Sequence, residues 1–115
     1  MSQSRWVLVF VVVLAGLSAY GCNRQWLESS HVVTGQQHAP VAPEQVTIYM
    51  EGQDPPPGYH EVAIVEGRGN HRVAMPGVLE RLKQDAAAMG ANALINIRVD
   101  QGGTIISVTG VAVRY

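Results

Sequence analysis

The chain has 115 residues, 8 basic against 9 acidic side chains, and 47% apolar residues. That length suits one domain, and the balanced charge lacks the basic excess or stripe of a nucleic-acid binder. The single cysteine excludes an internal disulfide and a cysteine-based structural zinc site, so a small domain here must rely on packing or self-association.

The apolar residues are unevenly placed. Arg5 gives a short leader its positive charge, and an apolar run follows from Trp6 to Ala15. At ten residues, that run matches a signal-peptide core and falls short of the ~20 needed to span a bilayer. Small residues then lead to Gly21 and Cys22. This order resembles the lipobox of bacterial lipoproteins, although Ala19 stands where Leu is usual and Tyr20 where a small residue is usual. The resemblance implies cleavage between Gly21 and Cys22 and a diacylglyceryl thioether on Cys22. The only cofactor-like group expected is that covalent lipid. Residue 23 is Asn and not Asp, which by the same resemblance favours the periplasmic face of the outer membrane.

Residues 22–44 read as the lipidated cysteine and a flexible tether, polar and Pro-containing, about 25 Å long as a coil. Trp26 and Leu27 lie near the anchor, either at the membrane interface or simply in the linker. His31 and His38 read as solvated linker residues.

The folded part is expected over residues 45–115. Val46, Ile48 and Met50 alternate with Thr47, Tyr49 and Glu51, the period of a half-buried strand. Asp54-Pro55-Pro56-Pro57-Gly58 breaks the chain. A second strand is expected over residues 59–66, its continuous Val62-Ala63-Ile64-Val65 suggesting cover on both faces. Gly67-Arg68-Gly69-Asn70 is expected to end it. A helix should start near Pro76. Val78, Leu79, Leu82, Ala86 and Met89 form its apolar face, and Gly90 should end it in a left-handed conformation. Ala93, Ile95, Ile97 and Val99 alternate as a third strand, and Gln101-Gly102-Gly103 supplies a turn. The last strand carries Ile106, Val108 and Ala112 on one face and Ile105, Val111, Val113 and Tyr115 on the other. Two apolar faces make it central, or make its outer face a subunit contact. The expected class is α+β, a β-β-α-β-β sheet with one helix on one side.

The stretch from Leu82 to Ile97, with its Gly90-Ala91-Asn92-Ala93 turn, resembles the helix-to-strand signature of the YbjQ-like family of heavy-metal-binding domains. Val108-Thr109-Gly110-Val111-Ala112-Val113 is similar to that family's closing strand. The same turn occurs in Rcs-sensor-type envelope lipoproteins. These motifs are structural and specify fold better than activity. The long helix insert of the ring-forming YbjQ-like proteins is missing, leaving homo-oligomerisation open. The extra cysteines of the Rcs-type relatives are missing too.

No Ser-His-Asp or Cys-His set is visible, so catalytic residues are expected to be none. Metal candidates are His60 and His71, but His60 and Glu61 should point to opposite faces of a strand. Arg68, Gly69, Asn70 and Arg72 form an anion or ligand candidate, being basic and glycine-rich just ahead of a helix. The expectation is a non-enzymatic, membrane-anchored envelope lipoprotein acting through an envelope protein partner. The alternative is a ligand- or metal-binding module of the YbjQ-like kind.

Overall fold

The computed structural model describes residues 25–115. The expected signal segment, the Gly21–Cys22 cleavage point and the lipidated sulfur of Cys22 lie outside the described residues. Five strands and one long helix form a small α+β fold: β1 (Leu27–Val33), β2 (Thr47–Met50), β3 (His60–Asn70), α1 (Met75–Ala88), β4 (Ala93–Gly102) and β5 (Ile105–Arg114), with a short 3-10 turn at Pro43–Gln45. The sheet order is β1-β3-β5-β4-β2. All neighbours are antiparallel except β2 and β4. The helix packs on one face, and β5 is central, as its two apolar faces require.

The main core lies between helix and sheet. Val78, Leu82, Ala86 and Ala87 of α1 meet Val62, Ala63, Val65, Leu94, Ile97, Val108 and Ala112, all at most 1% exposed. Close approach depends on small residues. A Cβ added at Gly67 would stand 2.8 Å from Val78 Cγ1 and 3.2 Å from Leu82 Cδ2. Gly67 is thus the floor on which the helix sits, Gly69 lies against Val73 of the loop before the helix, and β3 continues through both to Asn70. The loop expected at residues 67–70 is therefore strand.

Two strand assignments change for one physical reason, a bulge. Asn96 has φ 54°, and the β4–β5 register shifts between Ile95 and Arg98. An asparagine tolerates this left-handed geometry where most residues do not. The expected single face Ala93-Ile95-Ile97-Val99 is thereby split. Leu94, Ile97 and Val99 join the helix side, while Ala93 and Ile95 join Val113, Tyr49 and Val111 on the other side. A second shift lies between Glu61 and Ala63. Val62 and Ala63 are both fully buried, but Ile64 is 48% exposed, so the run 62–65 is not covered on both faces.

The flexible tether expected over residues 22–44 is also corrected. From Leu27 onward the chain is built into the fold. β1 pairs with β3 along its whole length, from Leu27 opposite Gly69 to Val33 opposite Ala63. Residues 34–42 then cross the end of the helix. The N–H groups of His38 and Val41 donate to the carbonyls of Met89 and Ala87, both at 3.0 Å. A helix C-terminus leaves carbonyls without intrahelical donors, and this strap supplies them. Gly90 (φ 80°) completes the ending expected of it: its N–H donates to Ala87 O and that of Ala91 to Ala86 O, a Schellman closure.

Candidate functional site

The sheet face away from the helix is open over β1, β3 and half of β5. Residues paired across antiparallel strands share a face, so Val32, Ile64 and Val111 form one apolar row. Val32 is 66% and Ile64 48% exposed. Polar residues flank the row. Arg68 Nη1 lies 3.8 Å from Glu28 Oε1, and the Ser107 hydroxyl donates to Glu66 at 3.4 Å. Along β4 and β2 the same face is closed by Ile95, Val113 and Tyr49.

The two ends of the sheet differ. At the end where β1 begins, the Asn70 N–H donates to Trp26 O at 3.0 Å, Asn70 pairs with Ile105, and Ile105 pairs with Gly102. Trp26 and Ile105 are 40% and 39% exposed. Beside this row is a hollow of about 320 Å³ whose lining includes His71, Val73, Met75, Thr104 and Ile106. The Gln25 side-chain amide donates to Arg72 O at 2.9 Å, tying the first described residue to the β3–α1 loop.

At the other end, the Tyr59 and Tyr115 rings meet edge to face with centroids 5.9 Å apart. The Tyr115 hydroxyl donates to Pro56 O at 2.6 Å. Desolvation by its neighbours, then Tyr49 and Tyr59, hold the Tyr115 phenol above its usual value. A hollow of about 440 Å³ nearby is lined by Gln36, His38, His60 and Glu61.

The sequence-derived candidates are dispersed by this geometry. His60 begins β3 and His71 follows its end, about 35 Å away at the usual strand rise, so the two cannot share one ion. His60 and Glu61, expected to point apart, border one hollow beside the bulge. Among the described residues no three His, Cys, Asp or Glu groups gather to hold a metal. Of the anion candidates, Arg68 lies on the open face beside Glu28, and Gly69 sits on the helix side against Val73. Asn70 spends its side chain on the turn, its Oδ1 accepting the Arg72 N–H at 3.2 Å. These residues therefore do not converge on one ligand position. Sequence reasoning missed the row Val32-Ile64-Val111; the signal for it, alternation along β3, is masked by the bulge.

No family model and no curated protein matches the chain. Among solved structures the chain is similar to a Francisella virulence factor, FvfA, with a TM-score of 0.60 and 15% identity, covering 76% of this chain and 97% of that one. The likeness is one of fold. No helix among the described residues is long and apolar enough to cross a membrane.

Proposed function

We propose that the chain is a lipid-anchored protein of the bacterial cell envelope that acts without catalysis, holding a small sheet-and-helix head at a membrane where it contacts another envelope protein. One observation carries this reading: the order of Arg5, an apolar run, small residues, Gly21 and the chain's one cysteine, Cys22. Each buried methylene contributes about 0.8 kcal/mol, so two or three acyl chains on Cys22 make attachment effectively permanent. The open sheet face supports the part about protein contact, since Val32 and Ile64 stand exposed within a polar rim. Asn23 favours the outer membrane.

The test is the mass of the N-terminal peptide of protein taken from membranes. A peptide beginning at Cys22 with a diacylglyceryl group is expected; an unmodified Cys22, or a chain still beginning at Met1, defeats the reading. A second reading, a ligand- or metal-binding module, has in its favour the hollow lined by His38, His60 and Glu61, although these three do not gather as a ready-made ligand set. Zinc binding below millimolar concentration that disappears in His60→Ala would carry it.

A further inference from the structure

The lead between the proposed anchor and the fold is short, and it enters at one end of the sheet. Four residue steps separate Cys22 from Trp26, and a fully extended chain covers at most ~14 Å in four steps. The headgroup layer on each side of a bilayer takes up about 6 Å of that. Trp26 is fixed to the fold by its bond to Asn70. Trp26, on the edge that also carries the β3–α1 loop and the β4–β5 turn, must then stay within roughly 8 Å of the lipid surface. The opposite end, where His60 pairs with Arg114, is about 33 Å further along β3.

The chemistry of this edge suits an interface. Trp26 and Ile105 stand in one row, two strand spacings or about 10 Å apart, with Asn70 between them. Both are large, apolar and partly exposed. Val73 and Met75 are half-buried in the adjoining hollow, rimmed by His71, Gln101 and Thr104. Trp at such a position prefers the water–headgroup boundary, where an apolar body and a polar N–H are both satisfied. Near the edge Arg68 pairs with Glu28, and Arg72 and Asp100 add one exposed charge of each sign, so contact would be apolar and not driven by anionic lipid.

We propose that the edge formed by Trp26, Ile105 and the hollow beside them is a lipid-docking surface that seats the head upright on the headgroups. This rests on lipidation of Cys22, and its test is built to be independent of it. Residues 22–115 contain one cysteine and one tryptophan, Cys22 and Trp26. The Cys22 sulfur is coupled to a maleimide-bearing lipid in phosphatidylcholine vesicles, and quenching of tryptophan by lipids brominated near the headgroup is read. Three further chains carry Trp26→Phe with Ile105→Trp, Ile64→Trp or Tyr59→Trp.

Quenching at Trp26 and in Ile105→Trp should exceed that in Ile64→Trp and Tyr59→Trp at least about threefold, because contact quenching requires burial at the interface. Quenching should persist in high salt. Stronger quenching in Ile64→Trp than in Ile105→Trp would mean that the sheet lies flat, and equal quenching at all four sites that the head tumbles; either result overturns the proposal. Because the anchor is installed chemically, failure here is distinct from failure to find lipid on Cys22 in cells.

Discussion

Single atoms decide how closely the helix lies on the sheet. A methyl at position 67 would meet Val78 Cγ1 at 2.8 Å and Leu82 at 3.2 Å, whereas one at position 77 meets only Val73 Cγ1 at 3.4 Å. Gly67→Ala should cost about 1–3 kcal/mol by forcing the helix outward. Gly77→Ala, exposed in the first turn of α1, should change stability by under about 1 kcal/mol and in the favourable direction. Denaturant midpoints of the two variants, moving in opposite senses, check the pair. Gly90 was legible in the sequence because a helix ending there needs a left-handed residue. Gly67 was not, since its reason lies in a side chain eleven positions away. Tyr115 sets a different limit. Its phenol is raised above the usual 10.0 by desolvation, then by Tyr49 and Tyr59, so the folded chain holds that proton more tightly than the unfolded one. Its contribution is complete below pH 10.0 and is lost as pH rises through the folded value. The stability difference between the natural chain and Tyr115→Phe should therefore shrink on the alkaline side, as read by denaturation at stepped pH.

Among the elements, β1 and the strap after it were the least legible. Glu28, Ser29, Ser30 and His31 make a polar edge strand with no apolar alternation, and only its pairing with β3 gives it form. The helix and β5 were readable because their apolar residues face a core large enough to impose a period. In β4 the period was present but misleading, since Asn96 inserts an extra residue and exchanges the two faces. A chain begun at residue 45, the boundary the sequence suggested, would strip the β3 edge of its partner and remove two donors from the helix end. Those two hydrogen bonds alone are worth about 2 kcal/mol, and the exposed edge invites association. We expect such a chain to unfold at lower denaturant and to aggregate, while one begun at Asn23 remains folded and unassociated. Chemical denaturation with light scattering on the two chains decides it. Equal stability would mean that β1 and the strap add nothing.

At the scale of the whole molecule, the two ends of the sheet have different neighbours if the head is moored through Cys22. With that mooring the β4–β5 turn beside Trp26 would face lipid, and the Tyr59–Tyr115 pair would stand about 33 Å away at the far end. The open row Val32-Ile64 runs along the side between them. A protein partner would then reach the far end and the open face but would be blocked from the turn by the bilayer. Photo-crosslinking residues at positions 59, 64 and 104 should report this in intact cells. Adducts with a discrete protein are expected from Tyr59 or Ile64, and adducts with lipid from Thr104. Protein adducts concentrated at Thr104 would reverse the orientation, because that edge could then not be resting on headgroups. Protein adducts absent from all three positions would instead remove the contact role and leave the hollow beside His60 as the place to look for function.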